Sequence, residues 1–258
     1  MKITALTENL SLDENIAAEH GLSLYIETDN HKILFDMGQT SLFAENAVKL
    51  GIDLTKVDLA VLSHGHYDHG GGIETFLKIN KTAKIYLSRF AFGEYYNGTE
   101  KYIGLDKSLR EDDRLVLVDD ELQLAGELSL YSCNKNEKKH DIGSFGLNMK
   151  IGDEFLPDDF RHEQYLLIEE KGKRMLISGC SHKGVMDIVS WFEPDVLVGG
   201  FHYSKLAPDE RLEEYSRILA SHKTSYYTCH CTGSEQFDFM KKIIPRLSYI
   251  HCGESVIL

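Results

Sequence analysis

Cysteine is scarce in this chain of 258 residues: there are five, an odd number. Cys133 and Cys252 stand alone, and the other three lie beside histidines in "SGCSH" and "TCHCTG". No disulfide framework can be read from that usage, which points to a reducing compartment. Long apolar runs are missing too. No segment approaches ~18 uninterrupted apolar residues, so no membrane span is expected. The opening "MKITALTENLSLDENIAAEHG" has no apolar core of signal-peptide length and is acidic instead. The expectation is a soluble cytoplasmic protein. Basic charge is in short supply, with 28 Lys and Arg against 41 Asp and Glu, a formal net charge of −13. A protein that coats a phosphate backbone wants clustered Lys and Arg, so no nucleic-acid partner is expected. Phosphate loops are absent as well. "GGG" is not followed by GK[ST], and no G-x-G-x-x-G occurs. A small-molecule substrate fits this surface, and an anionic one needs a local positive centre such as a metal. Oligomeric state is not legible.

What is present is apolar content of 42%, enough for a substantial core, read as a single domain over residues 1–258. "LSLYIETD" and "KILFDMG" read as strands paired about the turn "DNHK". "SLFAENAVKLGI" has helical apolar spacing and stops at Gly51. "VDLAVLS" is an apolar strand, "IETFLKIN" a helix and "AKIYLS" another strand. The stretch from about 97 to 159 is the least regular and reads as strands plus surface loops. The second half repeats the first in outline. "LYIETDNHKILFDMG" resembles "LLIEEKGKRMLISGC", each copy continues into a helix-like stretch, and each ends in a strand running into histidine, "VDLAVLSHGH" and "PDVLVGGFHY". Two such units pack sheet against sheet with helices outside, a four-layer αββα sandwich of two similar halves. Loops at corresponding strand ends then meet on one edge, placing "SHGHYDH" opposite "SGCSH" and "GGFH".

Four potential metal ligands crowd the segment "LSHGHYDHGGG": His64, His66, Asp68 and His69. A metal site needs several ligands converging within ~2.0–2.2 Å of one cation, which loops at a sheet edge supply readily. His64 and His66 share a side of extended backbone, and Asp68 and His69 follow where the chain turns into a helix. Gly70, Gly71 and Gly72 are expected to ease that turn. A histidine pair and an aspartate–histidine pair suit two metals a few ångströms apart.

These residues resemble the signature of the metallo-β-lactamase superfamily, whose αββα sandwich of two similar halves agrees with the repeat. "NIAAEHGLSLYIE", "ILFDMGQT", "HEQYLLI", "ISGCSHKG", "GGFHY" and "CHCTG" extend the resemblance to a set of metal-dependent hydrolases grouped with the archaeal dihydropterin–aminobenzene phosphate synthases. It covers nearly the whole chain except about residues 97 to 155. Residue by residue, the resemblance implies His64 and His66 on a first metal, and Asp68, His69 and His230 on a second. His182 is a further ligand. His162 or Cys180 stands where the superfamily has another histidine and an aspartate; a small buried hydrophobe is the plain alternative for Cys180. Asp36 is expected to orient a ligand histidine through its second nitrogen, or else to cap a turn. His202 is expected to hold substrate or donate a proton, or to pack. Glu19 and His20 are expected at the mouth. His31, His222 and His251 read as ordinary residues, and C-x-C around His230 is not zinc-ribbon spacing.

The implied function is a metal-dependent hydrolase with two divalent ions, zinc first, with manganese or iron as alternatives. A metal-bound hydroxide held by Asp68 would attack a small anionic or phosphorylated substrate. Cyclisation or condensation on a phosphoribosyl substrate is its narrower version. The competing readings are a di-iron oxidoreductase, a non-catalytic ligand sensor on the same fold, and a nuclease.

Overall fold

The computed structural model describes residues 1–258. The first half runs β1 (Lys2–Thr7), β2 (Ser23–Glu27), β3 (Lys32–Phe35), α1 (Leu42–Lys49), β4 (Leu59–Val61), α2 (Tyr67–Gly70), α3 (Ile73–Ile79) and β5 (Lys84–Ser88). β2 and β3 pair antiparallel across the "DNHK" turn. α1 gives way, past its C-cap Leu50, to Gly51, whose φ of 71° a side chain would resist. The middle holds β6 (Tyr95–Asn97), β7 (Lys101–Tyr102), β8 (Leu115–Val118), β9 (Glu121–Ala125), β10 (Leu128–Tyr131), β11 (Leu147–Ile151) and β12 (Glu154–Pro157). The second half runs β13 (Tyr165–Glu170), β14 (Lys173–Ile177), α4 (Val185–Phe192), β15 (Val196–Val198), α5 (Glu210–Ser221), β16 (Ser225–Thr228), α6 (Ser234–Lys241), β17 (Leu247–Tyr249) and β18 (Ser255–Ile257).

Two seven-stranded sheets result, ordered β18-β1-β2-β3-β4-β5-β8 and β9-β10-β13-β14-β15-β16-β17. They match strand for strand. In each, the first four strands are antiparallel and the last four are parallel, the fourth belonging to both runs. Strand alternation decides what each face meets. Phe35 and Val61 pack with Leu130, Ile168 and Val198 of the other sheet. Their neighbours Leu34 and Ala60 face Phe43 of α1 and Phe76 of α3. Leu176 and Leu197 face Ile188, Leu219 and Met240 of the other helices. Helix, sheet, sheet, helix is therefore the order of layers, as the repeat implied. Burying each of these large side chains contributes ~1.5–3 kcal/mol, offset by chain entropy.

The repeat does not extend to the histidines. Counting from Leu59 of β4 and Val196 of β15, His202 falls opposite Gly65 and not opposite His64 or His66. The irregular middle is also more ordered than its composition suggested. Part of it forms a third sheet, β12-β11-β6-β7, with its own small core of Tyr95, Ile103, Leu147 and Phe160. This sheet sits over the edge where the histidines gather, with the Tyr95 ring 3.9 Å from that of His162. No helix is long and apolar enough to cross a membrane.

Candidate metal centre

The carboxyl ends of β3, β4, β14, β15 and β16 lie along one edge, where open α/β sheets present their ligand sites. Asp36 leaves β3, "SHGHYDH" leaves β4, Cys180 and His182 leave β14, His202 leaves β15 and His230 leaves β16. Asp36, Ser181, His202 and His230 take φ of 59°, 55°, 55° and 49°, a strained region for side-chain-bearing residues. The glycines act differently from expectation. Gly71 and Gly72 have ordinary negative φ. Their role is close approach, since a Cβ on Gly71 or Gly72 would collide with the Gln39 or Met37 carbonyl oxygen. It is the protein's own backbone that comes near.

Two donor sets converge. One comprises His64, His66 and His182, whose donor atoms all lie within 4.8 Å of one another. His64 Nε2 is 3.3 Å from His182 Nε2. Two nitrogens bound tetrahedrally at ~2.0–2.1 Å from one zinc sit about 3.4 Å apart, so the pair has the spacing of a shared cation. The other set gathers around His69. Its Nε2 is 3.2 Å from His230 Nε2 and 3.2 Å from Cys180 Sγ, with Asp68 Oδ2 at 3.8 Å. Asp68 Oδ2 is also 3.4 Å from His230 Nε2 and 3.3 Å from His20 Nε2.

Proton bookkeeping leaves lone pairs aimed inward. The Ser63 hydroxyl donates to Asp36 Oδ2 at 2.7 Å, so it accepts from His64 Nδ1 at 2.8 Å and frees His64 Nε2. His69 Nδ1 donates to the same Asp36 oxygen at 2.7 Å, which turns its Nε2 toward the centre. His230 Nδ1 donates to Asn9 Oδ1 at 2.8 Å, with the same result. This is how ligand histidines are held. Gly179 guards the relay, because a Cβ there would strike the Ser63 hydroxyl.

Burial and crowding set the protonation of the cluster. Burial, then mutual repulsion, holds His64 and His182 well below the usual imidazole range, and His66 is lowered to about 3 for the same reasons. Burial also works against a charged His69, but Asp36 and Asp68 outweigh it and raise that ring to about 9. Burial raises the Asp68 carboxyl, yet His69, His20 and His230 overcome this and hold it well below the carboxylate range. His66 Nε2 and His182 Nδ1 are buried without hydrogen-bond partners. The neutral His64, His66 and His182 rings, with the Asp68 carboxylate and the Cys180 thiol, offer donors suited to zinc or a neighbouring transition metal.

The residue model of the metallo-β-lactamase superfamily matches residues 17–222. The chain belongs to the metallo-β-lactamase superfamily. It is similar to an uncharacterized protein of Methanocaldococcus jannaschii, 27% identical over 93% of each chain. A second relative from that organism is 7,8-dihydropterin-6-methyl-4-(beta-D-ribofuranosyl)-aminobenzene-5'-phosphate synthase, 29% identical over 99% of this chain and 96% of its own. Among solved structures, Tm1679, a metal-dependent hydrolase of the beta-lactamase superfamily, covers 100% of this chain and 99% of its own at 27% identity, with a TM-score of 0.84. Zn(2+)-bound PqqB from Methylobacterium extorquens shares the fold alone, at 11% identity and a TM-score of 0.64.

For this superfamily member the remaining expected residues divide. Cys180 lies among the donors, within 4.8 Å of His64 and His69. His162 does not present a free nitrogen. Its Nδ1 accepts from the Gly65 amide at 2.9 Å and its Nε2 donates to Asp158 at 3.1 Å. Glu19 turns away from the mouth and caps the Gln39 and Thr40 amides. His20 stays at the mouth against Asp68, and that hydrogen bond raises its pKa.

Several positioning residues escaped the sequence reading. Glu163 accepts from the His182 and Lys183 amides at 2.7 and 3.0 Å, and Glu8 accepts from the His230 amide at 3.0 Å. Glu163 adjoins the chosen His162, and Glu8 and Asn9 follow the apolar strand β1, the one signal that marked them. The cavity at the centre, about 230 Å³, is lined by His66, Asp68, His202 and His230, with Lys101 and Lys205 on its walls. A larger cleft of about 950 Å³ beside Lys183 and Arg161 gathers no donor set.

Proposed function

We propose that this protein is a metal-dependent hydrolase with a dinuclear centre, acting on a small phosphorylated substrate. The observation that supports it most is the pair of converging donor sets, in which the outer ring nitrogens of His64, His69 and His230 are tied down by Ser63, Asp36 and Asn9. His64, His66 and His182 would hold one divalent cation, and Asp68, His69, His230 and Cys180 the other. When bound, such a pair supplies Lewis acidity and eases the deprotonation of water. The chain's own groups do the rest. Asp68 orients the attacking water by accepting its hydrogen bond. His202 or His20, both on the cavity wall, delivers a proton to the leaving group. Lys101 and Lys205 bring positive charge to a cavity in a strongly acidic chain and would hold the phosphate. The third sheet, through Asn97, Ile103 and Leu147, narrows access by bulk water.

The full-length likeness to a synthase favours a second reading, condensation instead of hydrolysis. Its name specifies a ribofuranosyl 5'-phosphate product, which agrees with a phosphate-binding wall. One experiment separates the readings: elemental analysis of gently purified protein, with a panel of phosphodiesters, lactones and thioesters followed by product identification. About two ions per chain and water-derived products are expected. Lys101→Ala and Lys205→Ala should raise KM more than they lower kcat. A protein that never exceeds about one ion with added Zn²⁺, Mn²⁺ or Fe²⁺ would overturn the dinuclear reading. Iron-rich protein consuming oxygen would move it to the oxidoreductases.

A further inference from the structure

Cys231 is buried but has no role in that chemistry. Cys229, two positions earlier, belongs to the apolar core between the sheets, and Cys231 and Cys180 belong to no apolar cluster. Cys180, His202 and Cys231 instead offer donor atoms that all lie within 4.8 Å of one another. Two thiolates bound tetrahedrally at ~2.3 Å from one zinc are about 3.8 Å apart, so the three fit around one ion. His202 Nδ1 is buried and has no hydrogen-bond partner.

The backbone holds this trio in place. Gly200 N donates to the Gly179 carbonyl at 2.8 Å, joining the loops after β14 and β15. Phe201 N donates to Thr232 Oγ1 at 2.9 Å and Ser204 N to the Cys231 carbonyl at 3.1 Å, joining the loops after β15 and β16. A Cβ on Gly200 would collide with Cys231 Sγ, so the two loops lie flush only with glycine there. His202 is kept at a φ of 55°. Strain of this kind persists where the surroundings over-determine it, and it concentrates at functional positions.

We propose that Cys180, His202 and Cys231 form a third cation site, for a soft divalent ion, on the cavity wall. Cys180 is the shared element. Its sulfur is 3.2 Å from His69 Nε2 on one side and faces Cys231 and His202 on the other. Its thiolate would bridge the third ion to the second donor set, so the proposal rests on the dinuclear reading through this one residue. With Cys180 already a thiolate on the second ion, binding of the third releases the Cys231 proton to solvent, and with His202 as a ligand proton delivery falls to His20. Two sulfurs and an imidazole favour zinc or cadmium over magnesium or manganese.

The test is titration of the metal-free full-length protein with Cd²⁺ under reducing conditions, counting ions by native mass spectrometry and following thiolate-to-cadmium absorption. Wild type should take three ions. Cys231→Ser and His202→Ala should take two and lose part of the thiolate absorption, while Cys133→Ser keeps three. A wild type that stops at two ions overturns the third site and leaves the dinuclear reading standing. Equal ion counts in wild type and Cys231→Ser overturn it as well. A wild type that stops at one overturns both. The wild-type count decides the matter even if a variant fails to fold.

Discussion

Asp36 Oδ2 lies 2.7 Å from both His69 Nδ1 and Ser63 Oγ, so one carboxylate oxygen sets the direction of two candidate ligand histidines, His69 directly and His64 through the serine. Asp36→Ala should therefore weaken metal binding by about 10–100-fold. It also strands buried partners, at ~1–3 kcal/mol of stability. Competition against a chelator of known affinity reads the first effect. Unchanged affinity would mean that Asp36 only closes the turn after β3.

Asp68→Ala is expected to abolish turnover with the fold largely retained, because its carboxylate faces the cavity and not the apolar core. His31→Ala is the control. His31 sits on the β2–β3 turn, 3.4 Å from Glu127, and its loss should cost under ~1 kcal/mol. Turnover, circular dichroism and metal content of both variants form the comparison. Wild-type turnover by a fully loaded Asp68→Ala protein would end the hydrolytic reading.

His162→Ala should leave the ion count alone while lowering stability. Both ring nitrogens are spent on Gly65 and Asp158, and the ring lies against Tyr95. Losing those contacts costs ~1–3 kcal/mol. Elemental analysis and a denaturant titration answer this together. A drop of one ion per chain would make His162 a ligand after all.

Lys183 gives a pH signature. It is buried, its Nζ donates to the Ser132 and Glu163 carbonyls, and burial lowers its pKa to about 8. The unfolded chain binds this proton up to its ordinary lysine pKa, so from about pH 8 to about 10.4 the unfolded state holds more protons and stability rises with pH. Relative to Lys183→Met, wild type should gain roughly 3 kcal/mol across that window. Below pH 8 both states are protonated and the difference should be flat. A difference flat throughout would show an unperturbed lysine.

Legibility followed sequence distance. "SHGHYDH" could be read because four donors on one strand end need no knowledge of anything else. The halves could be read because a hairpin, helix and buried strand recur in order. Asn9 could not, since its bond to His230 spans 221 positions and exists only through the packing of the two sheets. Cys231 was set aside because its neighbour in sequence is Cys229, whereas its neighbour in space is Cys180. The third sheet was missed because β6, β7, β11 and β12 are short, half-exposed and interrupted by charged loops.

Each donor set draws on both halves of the chain: His64 and His66 with His182, and Asp68 and His69 with Cys180 and His230. A cation there is a pin driven through both leaves of the sandwich. Apolar contact between the leaves resists separation but has no direction, so it resists sliding poorly. Withdrawing the pins should be felt as shear, concentrated at the edge where the strands end. Amides at the ends of β4, β14 and β16 would then exchange faster after chelation, while those in mid-strand stay protected.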